Sequence, residues 1–154
     1  MKILLIYPYA SYKNMPPSSW VPLSLPYLAG PLQQAGHQVK IMDRYAAQYK
    51  LGSHKALIDK ALLQTIIEFK PDIIGLNAVS PLVFDLVDTA ALIRQVFSGV
   101  LLAGGHHVSA LPEATLQKIP ELDALITGEG EYSLLRFAEG EKASDIPGLW
   151  WREN

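Results

Sequence analysis

The chain has 154 residues, 49% of them hydrophobic and 18% charged, with a formal net charge of −2. That is one domain's length with enough apolar material for a core, without the low hydrophobicity of a disordered chain or the basic footprint of a nucleic-acid binder. It contains no cysteine, which excludes disulfides, thiol nucleophiles and an iron–sulfur cluster held by this chain alone.

The first element is Ile3-Leu4-Leu5-Ile6-Tyr7, a continuous apolar run of the kind a strand buried on both faces shows. It is too short for a signal-peptide apolar region, and no later run approaches the ~18 residues of a membrane span. A cytoplasmic protein without a membrane partner is the expectation. A helical connector follows over residues 23–35, where Pro26 and Pro31 predict a kink or a late start. Gly36 sits where a helix-ending glycine belongs.

Four more strand-like runs follow: Val39-Lys40-Ile41-Met42, Ile73-Ile74-Gly75-Leu76, Val100-Leu101-Leu102-Ala103 and Ala124-Leu125-Ile126. Leu57, Ile58, Ala61, Leu62, Ile66 and Phe69 share one helical face between two of them, and Leu82, Leu86, Ala90, Ile93 and Phe97 share another. A weaker helical pattern covers residues 113–118 and a better one residues 129–138. Strand–helix alternation of this regularity predicts a doubly wound α/β domain. It is a Rossmann-like three-layer sandwich with a five-stranded parallel, flavodoxin-like sheet ordered 2-1-3-4-5. The domain is expected over residues 1–144, with residues 145–154 reading as a tail that leaves it and has room for an extra extended segment.

In such sheets ligands bind beyond the carboxyl ends of the strands. Four loops meet there. They contain Tyr9, Tyr12 and Trp20 after the first strand; Ala78, Val79 and Ser80 after the third; Gly104, Gly105, His106 and His107 after the fourth; and Gly128, Glu129, Gly130 and Glu131 after the fifth. Each has a plain structural reading beside the functional one. The glycines suit tight turns, and the two glutamates suit the first turn of a helix. His106 and His107 are consecutive, so in an extended loop they point opposite ways, which argues against a shared metal. Three aromatics in one long loop favour a flat apolar ligand. No nucleophile elbow, Walker A loop or zinc-protease motif occurs, so binding is favoured over catalysis and no catalytic or metal-ligating residue is assigned.

Taken together, these loops resemble the N-terminal cobalamin-binding domain of cobalamin-dependent radical SAM proteins. The likeness rests on Gly36-His37-Gln38-Val39 leading to Asp43, on Lys70-Pro71-Asp72-Ile73-Ile74-Gly75, and on Ala103-Gly104-Gly105-His106-His107 with Pro112. It continues through Asp123, Thr127-Gly128-Glu129-Gly130-Glu131 and Ile146-Pro147-Gly148-Leu149 with Arg152. The resemblance implies a module that binds cobalamin, with Gly104, Gly105 and His106 beside the nucleotide tail. Ala78, Val79 and Ser80 would lie beneath the ring or beside the tail, and Gly128, Glu129 and Gly130 near the tail's ribose or phosphate. Tyr9, Tyr12 and Val79 would shield the lower face.

Two departures matter. The D-x-H-x-x-G motif that supplies a lower axial histidine in many cobalamin proteins is missing, because the first-strand loop reads Tyr7-Pro8-Tyr9-Ala10-Ser11-Tyr12. The three-cysteine motif is missing too, so the 4Fe-4S cluster, S-adenosylmethionine and the radical chemistry would belong to a partner domain of the same parent enzyme. A flavodoxin-like binder of a flavin or nucleotide, and a receiver-like interaction domain without a cofactor, are the competing readings.

Overall fold

The computed structural model describes residues 1–9, 22–51 and 54–152. Its chain order is β1 (Lys2–Tyr7), α1 (Ser24–Gln34), β2 (Gln38–Asp43), α2 (Arg44–Leu51), α3 (Lys55–Phe69), β3 (Ile73–Asn77), α4 (Val83–Arg94), β4 (Val100–Gly104), α5 (His106–Ala110), α6 (Pro112–Lys118), β5 (Ala124–Ile126), α7 (Glu131–Ala138) and β6 (Leu149–Trp151), with short 3-10 turns at Ser80–Leu82 and Ala143–Asp145. One sheet runs in the order β2-β1-β3-β4-β5-β6. β1 to β5 pair in parallel, while β6 pairs antiparallel to β5. The α/β class and the order of the first five strands are as expected, and residues within the expected tail add the sixth strand. Phe137 and Trp151 rings, 5.7 Å apart, help to hold it.

Alternation along the strands divides the core in two. Leu4, Ile6, Ile74, Leu76 and Leu101 face α3 and α4, packing with Leu62, Ile66, Leu86 and Ile93. Ile3, Leu5, Ile73, Leu102 and Ile126 face α1 and α7, packing with Leu25, Leu32 and Leu134. Strands covered on both faces must be apolar throughout, which is why these runs show no polar alternation.

Two local expectations need correction. α1 runs unbroken from Ser24 despite its prolines. Pro26 lies in the first turn, where an N–H has no intrahelical partner to lose, and burial of Leu25, Ala29 and Leu32 offsets the bond lost at Pro31. The helix ends at Gly36 (φ +86°), with Gly36 N–H donating to the Gln33 carbonyl and His37 N–H to the Leu32 carbonyl, a Schellman closure. His106 and His107 are not in an extended loop but begin α5. The left-handed turn at Gly105 (φ +114°) starts that helix directly after β4.

Candidate cofactor-binding cleft

A cleft of about 480 Å³ opens at the carboxyl rim between α1 and α7, over the face of the sheet formed by β1, β3, β4 and β5. The floor is set by one residue. Gly75 stands mid-strand in β3, and a Cβ there would lie 3.0 Å from a methyl of Leu5 and 3.5 Å from a methyl of Leu102. A glycine inside an otherwise apolar strand marks a place where something else comes close to the backbone. Tyr7, Asn77 and Gly104 line the sheet side. Ser24 and Leu28 line the α1 side, and Gly130, Glu131 and Leu134 the α7 side. The lining is mostly apolar with a few polar groups, the character of a small-molecule site.

Several contacts shape the mouth. The Gly128 N–H donates to Ser109 Oγ at 2.9 Å, tying the loop after β5 to α5. The Asn77 side-chain amide donates to Ser24 Oγ at 3.3 Å, bridging β3 and α1. α7 starts at the wall that Gly130 and Glu131 form, and no side chain caps its first turn. Burial, followed by the nearby Asp43 and Tyr45, pushes the Tyr7 phenol above its ordinary range, so Tyr7 offers the cleft a neutral hydroxyl. The described lining holds two carboxylates, Glu129 and Glu131, and neither lysine nor arginine. Such a wall accepts hydrogen bonds from hydroxyl and amide groups more readily than it holds an anion by charge.

Of the residues singled out in the sequence, Val79, Gly104, Gly105, His106, Gly128, Glu129 and Gly130 line the cleft. Three others stand apart. Ala78 is buried behind the wall, its N–H donating to the Gly104 carbonyl at 2.7 Å and its carbonyl accepting from the His107 N–H at 3.1 Å. Ser80 Oγ contacts His107 Nδ1 at 3.2 Å. Tyr9 is buried on the far side of β1, where its N–H donates to Asp85 Oδ2 at 2.8 Å. Tyr12 and Trp20 lie outside the described residues. Gly105 also has a packing role, since a Cβ there would stand 2.8 Å from the Ala78 carbonyl oxygen. No group of three or more His, Asp or Glu arranged for a metal occurs among the described residues.

Sequence reasoning gave no site role to Gly75, Ser24 and Leu28. The signal for Gly75 was present, a lone glycine in a β run. Ser24 and Leu28 carried none, because nothing local separates a helix face that meets a ligand from one that meets a sheet.

Residues 14–138 match the family of the B12 binding domain. The chain belongs to the B12-binding domain family. Cobalamin is therefore its cofactor, in agreement with the expectation from the loops. An uncharacterized methyltransferase of Pyrococcus horikoshii is 31% identical across the whole chain, which covers 33% of that protein. Cytidylyl-2-hydroxyethylphosphonate methyltransferase of Streptomyces wedmorensis is 31% identical over 99% of the chain and 31% of its own length. The radical S-adenosylmethionine methyltransferase TsrM from Kitasatospora setae, in a structure with cobalamin and a [4Fe-4S] cluster bound, superposes with a TM-score of 0.77 at 20% identity. That match covers 99% of this chain and 27% of TsrM, and it shows a shared fold. The B12-binding domain thus spans about a third of the curated relatives it matches.

The cleft fits this cofactor. Gly75 leaves room that a side chain would fill, and the volume suits a nucleotide-sized tail rather than a whole corrin. Among the described residues no helix is long and apolar enough to cross a membrane.

Proposed function

We propose that this B12-binding domain seats the nucleotide tail of cobalamin in the cleft between α1 and α7 and carries the corrin on the carboxyl rim above it. The observation that carries the reading is the cleft itself, floored by Gly75 where the methyls of Leu5 and Leu102 close in, on the face where α1 and α7 part. Leu5, Leu102 and Leu134 would exclude water from the flat base of the tail. Glu129, Glu131 and the Tyr7 hydroxyl would meet ribose hydroxyls and corrin amides, and the N–H groups at the start of α7 would meet the phosphate. Val79, Gly104, Gly105 and His106 would form the rim under the ring. The chemistry cobalamin supplies when bound is the carriage of a methyl group on its cobalt.

Two relatives named as methyltransferases and a cobalamin-bearing radical SAM neighbour support a parent enzyme of that kind. In it a radical SAM domain, holding the cluster and S-adenosylmethionine, would work on the exposed corrin face.

Comparing cobalamin with cobinamide, which lacks the nucleotide tail, tests the seating. Cobalamin should bind at least tenfold more tightly. Equal affinities would place the tail outside the cleft and refute the proposal.

A further inference from the structure

Behind the cleft, on the opposite face of the sheet, lies a buried ionic cluster whose members are not part of the cleft lining. Arg44, the first residue of α2, is fully buried. Its Nη1 donates to Asp85 Oδ2 at 2.8 Å and its Nη2 to Asp59 Oδ1 at 2.6 Å, and Nη1 also reaches the Thr89 hydroxyl. A small cavity of about 10 Å³ adjoins the cluster, lined by Pro8, Arg44, Leu76, Asn77, Asp85 and Thr89 among others. Among the described residues, three buried side-chain atoms of that lining have no hydrogen-bond partner: Arg44 Nε, Asp85 Oδ1 and Asn77 Oδ1.

We infer that one internal water occupies this cavity, and that through it Arg44 and Asp85 fix the Asn77 amide with its N–H₂ toward the cofactor cleft. The space is about what one water needs, and three polar partners lie within the usual range for a buried water. The valences also close. The water gives one hydrogen to Asp85 Oδ1 and the other to Asn77 Oδ1, and it accepts the Arg44 Nε–H. With the amide reversed, Asn77 would offer the water a second donor, and one water hydrogen would be left without an acceptor. The orientation that satisfies every group is the one in which Asn77 donates toward Ser24 and the cleft. Asn77 lines both cavities and so joins them. Arg44 and Asp85 are positioning residues here, acting on the ligand wall through the water and Asn77. Only the affinity readout below rests on the cobalamin reading.

A crystal structure of this chain at about 1.5 Å should show one water within hydrogen-bond distance of all three atoms. An empty cavity, or a direct contact between Asp85 Oδ1 and Asn77 Oδ1, would overturn the inference. In solution, the side-chain ¹⁵N–¹H₂ resonances of Asn77 should shift in Asp85→Asn, which puts a donor in place of one carboxylate oxygen. They should stay in place in Asp59→Asn, which disturbs the ion pair from outside the cavity. Unchanged Asn77 resonances in folded Asp85→Asn would count against the inference without bearing on cobalamin. Hydroxocobalamin should bind Asp85→Asn about fivefold more weakly, the worth of one misoriented hydrogen bond, although Asp85 does not line the cleft.

Discussion

The two rims of the sheet use polar residues in opposite ways. At the amino rim, charged side chains close on the backbone. Asp72 Oδ2 accepts the Lys2 N–H at 2.7 Å. Asp123 Oδ2 accepts the Leu101 N–H at 2.7 Å and pairs with Arg94 Nη2 at 2.6 Å. Arg94 donates onward to the Gly99 carbonyl, and Arg152 to the carbonyls of Leu122 and Ile119. On the cleft side of the carboxyl rim, glycines stand where such side chains would be, and Tyr7, Asn77, Glu129 and Glu131 line open space. Motifs equally prominent in the sequence therefore divide by rim. Lys70-Pro71-Asp72 and Asp123 fasten strands together, whereas Gly104, Gly128 and Gly130 keep a cleft open.

The sharpest way to break this contrast is to fill the floor of the cleft. Gly75→Leu would place a side chain between Leu5 and Leu102, and overpacking of this kind costs about 1–3 kcal/mol in addition to occupying the tail's space. Cobalamin affinity should fall about a hundredfold or more in a protein that still folds, as measured by titration at the corrin absorption bands. Affinity within threefold of the parent would mean that the cleft is not where the tail lies.

Asp123→Ala addresses the other rim. It strips the Arg94 guanidinium of its ion pair and the Leu101 N–H of its acceptor, so urea unfolding should show a loss of about 2 kcal/mol. Cobalamin affinity should not change. A loss of affinity comparable to that at Gly75 would erase the division between rims.

A smaller effect concerns Asp85. Burial raises its carboxyl above the ordinary range, and this outweighs the opposing pull of Arg44, the Tyr9 N–H, Lys55 and Thr89. A carboxyl that binds its proton more tightly in the folded state contributes stability that is full below its unfolded value of about 4 and is lost as pH rises through the raised folded value. Between those two points the parent should lose stability with rising pH, and Asp85→Asn should not show that loss. Parallel stability–pH curves for the two proteins would contradict the sign. The surrounding charges are Arg44 from α2 and Lys55 and Asp59 from α3, so Asp59→Asn should alter the curve less than Asp85→Asn.

The least change is expected at the cobalt. With no histidine in the first-strand loop, and His107 turned to Ser80, bound Co(II) cobalamin should be base-off without a histidine nitrogen. Nitrogen splitting in the paramagnetic resonance lines that vanishes in His106→Ala or His107→Ala would contradict this.

The sheet was legible because strands covered on both faces must be apolar over their whole length. Residues 3–7, 73–76 and 100–103 satisfy that without help from neighbours. β6 was not legible as a paired strand, since three residues take their partner from the edge of β5 rather than from their own pattern. α2 was missed because Arg44-Tyr45-Ala46-Ala47 follows β2 without a turn signal, with only Asp43 Oδ1 on the Ala46 N–H marking its start. The loops of the site were visible as glycine clusters. The burial of Arg44 was not, since its partners Asp59, Asp85 and Thr89 stand 15 to 45 residues away.

The central claim is that the open carboxyl rim is a cobalamin site, and the direct test is competition between cofactors. Hydroxocobalamin and flavin mononucleotide should each be titrated into the purified chain, the first followed by its visible spectrum and the second by quenching of its fluorescence. Saturable cobalamin binding with a spectral change, at least tenfold tighter than flavin, is the result predicted. Flavin binding without cobalamin binding would show that the cleft serves a different ligand.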